Sequence, residues 1–171
     1  SFSLNNESNV LFSSPHLCRV EERIRLDGRP ISNKMFDNAL NQVKDAAEKL
    51  SINPTFFETT FLAAMVITAE VMPKFLILET GLGGRLDATR CAPADLSILT
   101  SITKEHTDIL GDDIYQIIRE KAAIARPGKI IIAREMKITN YRQTVTESAN
   151  NCSRSELNEL SGIATCKFVE I

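Results

Sequence analysis

Between Phe75 and Thr89 the chain reads FLILETGLGGRLDAT, and no other stretch limits the possible folds as tightly. Four apolar residues, Phe75 to Leu78, run into the carboxylate of Glu79, and a glycine turn at Gly81, Gly83 and Gly84 follows before Arg85 and Asp87. A continuous apolar run bounded by glycine describes a strand of a parallel sheet covered on both faces. Ligands of open α/β sheets bind beyond the carboxyl ends of such strands, where Glu79 stands. The expectation is a buried strand that ends in a site.

Other segments repeat this arrangement. Val10 to Phe12 is a short strand that runs into SSPHL, where Pro15 ends it and leaves Ser13, Ser14 and His16 at its carboxyl end. The charged stretch CRVEERIRLDGRPI, Cys18 to Ile31, turns at Asp27-Gly28 and reads as an exposed excursion or a short hairpin. Ser32 caps a helix to about Leu50, with Phe36, Ala39, Leu40, Val43, Ala47 and Leu50 on one face. After Asn53-Pro54 a second helix, about Thr55 to Val71, has almost no polar face, so deep burial against a sheet is expected. LSILTSI, Leu96 to Ile102, is another buried strand, with His106 just past its end. A helix from Asp112 to about Ala125, a strand Lys129 to Ala133, a helix near Tyr141 to Asn150, the polar stretch CSRSELNELSG and a terminal strand near Phe168 continue the alternation. The fold class is therefore α/β, a mostly parallel sheet flanked by helices in a doubly wound arrangement, and the 171 residues read as a single domain.

One residue conflicts with its own helix. Ile114, Ile117, Ile118, Ala122 and Ala125 define an apolar face, and Lys121 falls within it. Burying an ammonium lowers its pKa or demands a partner. Two readings stand: a lysine that snorkels past its neighbours or pairs with Glu120 or Asp108, and a neutralised or carbamylated amine facing the strand ends. His16 and His106 are the only histidines, both in loops after strands, where structural roles compete with ligand or general-base roles. The spacing of Glu79 and His106 forms no short metal motif. The GLGG turn lacks the lysine of a phosphate-cradling loop.

Composition removes several classes of partner. The net charge of -2 has no basic cluster behind it, which argues against nucleic acid. No apolar run approaches the roughly 20 residues that span a bilayer, and the first residues lack signal-peptide order, so a cytoplasmic protein without a membrane partner is expected. Cys18, Cys91, Cys152 and Cys166 have no CxxC spacing and read as free thiols of a reducing compartment.

Five blocks in order, SSPHL (13–17), ERIRLDGRPIS (22–32), ETGLGGRLDAT (79–89), TSITKEHTDILG (100–111) and EKAAIARPG (120–128), resemble folylpolyglutamate synthase and dihydrofolate synthase of the Mur ligase superfamily. The resemblance covers roughly residues 10 to 135. It implies an ATP-dependent amide ligase of folate metabolism that activates a carboxylate as an acyl phosphate for attack by the amine of glutamate. Its partners are then small molecules: ATP, a folate or dihydropteroate, and glutamate. Ser14, Glu79 and His106 resemble ligands of a Mg2+ at the ATP phosphates, and an oxygen-rich set suits that ion. Lys121 resembles a lysine carbamylated in the family, and it and His106 are the catalytic candidates. Thr55, Phe56 and Phe57 match a substrate-binding stretch, and a core-helix role explains them equally.

The chain also departs from the pattern. Glu105 replaces an aspartate, Ala123 a glycine and Arg90 an asparagine, and the glycine-rich phosphate loop and the carboxy-terminal ligase domain have no counterpart among the 171 residues. The resemblance thus implies part of an ATP-binding central domain, with no cofactor-binding loop of its own and no activity alone. A Mur-type ligase of another branch, for peptidoglycan or cyanophycin, and a degenerate non-catalytic binding domain are the alternatives.

Overall fold

A computed structural model describes residues 5–126, 128–134, 136–156 and 167–170, with side chains as far as residue 149. They divide into two compact units, one ending at Gly81 and the other beginning at Leu82.

In the first unit, β1 (Asn9–Phe12) pairs in parallel with β4 (Phe75–Leu78) and antiparallel with β2 (Ile24–Leu26), which pairs with β3 (Arg29–Pro30). The sheet order is β3-β2-β1-β4. Asp27 and Gly28, with φ of 50° and 83°, supply the two left-handed residues that a tight hairpin needs, so the charged stretch is a hairpin on this sheet. Helix α1 (Asn33–Leu50) starts at Ser32, whose hydroxyl accepts from the Met35 N–H at 3.3 Å. Helix α2 (Phe56–Val71) starts at Thr55 and packs on α1 and β1. Phe12 makes edge contacts with Phe57 and Phe61 at 5.5 and 5.7 Å between ring centroids.

Two expectations here need correction. Helix α2 buries one face, through Thr60, Phe61, Ala63, Ala64 and Ile67, while Phe56 and Leu62 are exposed. Its apolar residues outnumber the positions that one supporting layer covers. All four residues of β4 are half-buried rather than enclosed, as befits the end strand of its sheet.

In the second unit β5 (Leu96–Leu99), β6 (Ile130–Ala133) and β7 (Lys167–Glu170) are parallel and adjacent in that order. A one-turn helix, α3 (Thr107–Leu110), precedes α4 (Ile114–Ala122), and α5 (Tyr141–Glu156) packs on α4. Leu99, Ile131 and Ala133 on one sheet face join Ile117, Ile118, Ala122, Tyr141 and Val145 in a single core. The other face keeps Leu96, Ile98 and Ile130 exposed, so the LSILTSI segment is covered on one face only and its strand stops at Leu99. Most of CSRSELNELSG lies outside the described residues. Among the described residues no helix is long and apolar enough to cross a membrane.

Candidate functional site

Parallel pairing of β1 with β4 sets Phe12 opposite Leu78, so both strands release their next residues at the same edge. Glu79 N–H donates to the Phe12 carbonyl at 2.9 Å, and Glu79 Oε2 accepts from the Ser14 N–H at 2.9 Å. The structure therefore joins two of the three expected metal ligands, 65 residues apart in sequence. Glu79 is exposed and Ser14 half-buried, and their hydroxyl and carboxylate oxygens are the hard donors that a divalent cation prefers. No cluster of three His, Cys, Asp or Glu residues suited to a metal occurs among the described residues, and this pair supplies one such carboxylate.

The loop after Ser14 is tied down by one carboxylate. Glu22 accepts from the N–H groups of Leu17 at 2.9 Å, Arg19 at 3.0 Å and Cys18 at 3.3 Å. Those bonds, from Leu17 and Arg19 first, hold its carboxyl below the usual glutamate range. The ordered loop brings His16 to Arg23, whose Nε donates to His16 Nδ1 at 2.9 Å and leaves Nε2 as the imidazole N–H. The Arg23 guanidinium lies 5.0 Å from the centroid of the Phe56 ring, and the residue is only 9% exposed. Among the described residues no carboxylate pairs with it, although buried arginines are rarely without one. Arg23 does not stand out in the sequence because it is one of several charges in a polar stretch. The signal was its place immediately before the alternation of Ile24 and Leu26.

The three aromatic-stretch candidates separate. Thr55 is the N-cap of α2, its hydroxyl accepting from Glu58 N–H while Glu58 Oε2 accepts from Thr55 N–H at 2.7 Å. Phe57 is half-buried against Phe12, and a Cβ on Gly81 would stand 2.6 Å from its ring, so the first glycine of the turn admits an aromatic edge. Phe56 is the exposed member, beside Arg23 and 6.5 Å from the His16 ring.

In the second unit, His106 has a left-handed backbone (φ 53°) at the start of α3, and its carbonyl accepts from Ile109 and Leu110. Lys121 donates to Glu105 Oε1 at 3.0 Å, so its partner is the neighbour of His106 rather than Glu120 or Asp108. That bond lowers the Glu105 pKa. The Lys121 side chain is 20% exposed: it runs along the helix flank with its amine engaged. Glu120 is taken by Arg85 at 2.8 Å. Asp87, nearly buried, accepts from Leu82 N–H, Thr89 N–H and the Thr89 hydroxyl, which closes the turn after the glycines. Arg90 and Ala123, two positions at which the chain departs from the family pattern, are bonded to each other, Nε to carbonyl at 2.9 Å.

No protein-family model matches the chain. The dihydrofolate synthase/folylpolyglutamate synthase of Buchnera aphidicola subsp. Schizaphis graminum is 41% identical over 128 residues, 75% of this chain and 30% of that protein. Escherichia coli FolC, solved with DHPP and ADP, superposes with a TM-score of 0.80 at 32% identity, over 95% of this chain and 36% of that one. The bifunctional enzyme of Yersinia pestis, solved with AMPPNP and Mn, gives 0.79 at 32% identity, over 98% and 37%. The chain thus spans about a third of the length of the proteins it matches, and their α/β architecture is the one expected from its sequence. With these likenesses the chain belongs to the family of dihydrofolate synthases and folylpolyglutamate synthases.

Proposed function

We propose that this chain is part of an ATP-dependent amide ligase that joins glutamate to dihydropteroate or a folate through an acyl phosphate. One observation carries the reading for this chain: the parallel register of β1 and β4, which brings Ser14 and Glu79 together at the strand ends, the Ser14 main-chain N–H donating to the Glu79 carboxylate. The ADP, AMPPNP and Mn of the solved relatives support a nucleotide and a divalent cation as the ligands of the whole enzyme, with Mg2+ as the cation in the cell.

In this reading Ser14 and Glu79 hold the cation, which when bound offsets charge on the nucleotide phosphates. Arg23, with no carboxylate partner among the described residues and its guanidinium beside the Phe56 face, draws the aromatic acid substrate, and His16 Nε2–H adds a fixed donor. Thr55 and Phe57 act through α2, as its cap and as the packed ring that orients Phe56. The substrate carboxylate attacks the terminal phosphoryl group, ADP leaves, and the glutamate amine displaces phosphate from the acyl carbon. Lys121, as ammonium or carbamate, acts with His106, next to whose neighbour Glu105 its amine is held. The 171 residues act as one partial central domain of a cytoplasmic enzyme, and alone they are inactive because no phosphate loop is among them.

Phosphate release tests the reading. The full-length protein should release phosphate only when ATP, glutamate and either dihydropteroate or tetrahydrofolate are all present, and the 171-residue chain should release none. Absence of release from the full-length protein with both acids rejects a folate ligase.

A further inference from the structure

A helix leaves its last carbonyls without donors of its own. At the carboxyl end of α4 and just past it, arginines take up such carbonyls. The Arg85 N–H donates to the Glu120 carbonyl at 3.1 Å, Arg90 Nε to that of Ala123 at 2.9 Å, and an Arg126 terminal nitrogen to that of Ile124. Arg126 also returns to the carbonyls of Thr89 and Ala92, each at 2.8 Å, which locks the donor segment to the turn it grips. Beneath them lies backbone on backbone: a Cβ on Gly84 would stand 2.7 Å from the Glu120 oxygen and 2.8 Å from that of Lys121. Only glycine allows so close an approach. The guanidinium groups of Arg90 and Arg126 at the carboxyl end of α4 also oppose the negative end of its dipole.

The residue carried on this gripped turn is Lys121. Its main chain rests over Gly84, and its side chain leaves the turn to reach Glu105 beside His106. We propose that Arg90 is a positioning residue for Lys121: its bond to the Ala123 carbonyl fixes the last turn of α4, and so the point from which the Lys121 amine is presented. The inference rests on the reading of Lys121 as a working residue of the ligase. Arg90 touches no substrate in this account. Its effect on the rate runs through the helix turn, so that effect should vanish when the lysine is gone.

The test compares Lys121→Ala, Arg90→Ala, Arg90→Lys and the double variant Arg90→Ala/Lys121→Ala in the full-length enzyme. Arg90→Ala should lower kcat by roughly ten- to a hundredfold, the loss that small misplacements of a reacting group cause, with the KM values for ATP and the folate substrate unchanged. Arg90→Lys, which keeps a donor, should recover most of that rate. The double variant should be no slower than Lys121→Ala, because residues acting as a unit are not additive. A wild-type kcat in Arg90→Ala, or a further loss in the double variant, overturns the proposal while leaving Lys121 in its role. A wild-type rate in Lys121→Ala instead removes the reading of Lys121. If Arg90→Ala does not fold, Arg90→Lys and Arg90→Gln are compared, and equal wild-type rates in both overturn the proposal.

Discussion

Glu22 shows how a single side chain builds a site it does not enter. Its carboxylate replaces the hydrogen bonds that the N–H groups of Leu17, Cys18 and Arg19 would otherwise make to water. A carboxyl held below its usual range in the folded state contributes order above its unfolded pKa of about 4.3, and that order is lost as the pH falls through the lower folded value. The amide proton shifts of Leu17 and Arg19 should therefore move together in an acid titration, with a midpoint below the ordinary glutamate value, and Glu22→Gln should abolish the transition. Invariant shifts through that range would mean that the carboxylate does not hold the loop. At this scale the sequence was informative about residue type and weak about partners. Lys121 was recognisable as misplaced from its helical spacing alone, yet its partner, Glu105, lies 16 residues away in a loop whose path no periodicity describes. Arg23 was hidden for the same reason, since a charge in a polar stretch reads as solvated until the chain is folded around it.

The elements themselves were legible, because their signals are local. Ser32 and Thr55 announce helix starts, Asp27-Gly28 announces a hairpin, and the apolar runs at 75–78 and 130–133 became strands. What periodicity did not supply was the depth of burial. The run FFETTFLAAMVITAEV is apolar on nearly every side, so the sequence predicts a helix enclosed all round, whereas α2 presents Phe56 and Leu62 outward. The difference is measurable. Phe61, 3% exposed, sits against Phe12, so Phe61→Ala should cost about 3–5 kcal/mol. Phe56→Ala forfeits mainly the contact with Arg23 and should cost about 1 kcal/mol or less. Urea denaturation with an unchanged slope would give both values, and equal losses would contradict this assignment of the two rings. A stable Phe56→Ala variant with weakened binding of the folate substrate would further separate a substrate role from a packing role.

At the scale of the molecule, β4 is an end strand of the sheet in the first unit and β5 an end strand of the sheet in the second, among the described residues. On β5 and β6, Leu96, Ile98 and Ile130 are exposed on the face opposite the helices, and a short apolar edge strand is a site for unwanted pairing. A net charge of only -2 gives little repulsion between copies. The 171-residue chain should therefore aggregate on concentration, and Ile98→Lys, at a position 60% exposed, should slow the rise in light scattering while leaving the melting temperature within a few degrees. Faster or unchanged aggregation would place the sticky surface elsewhere. By itself the sequence determined the α/β class, the order of elements, the strand-end residues and the family, because propensity, capping and motif order reside in neighbouring residues. Only the tertiary structure decided that Ser14 meets Glu79, that Arg23 is buried beside Phe56, and that the glycine turn grips the helix carrying Lys121. Those are contacts between residues 33 to 65 positions apart, and they depend on strand register and helix docking, to which no local pattern in the chain corresponds.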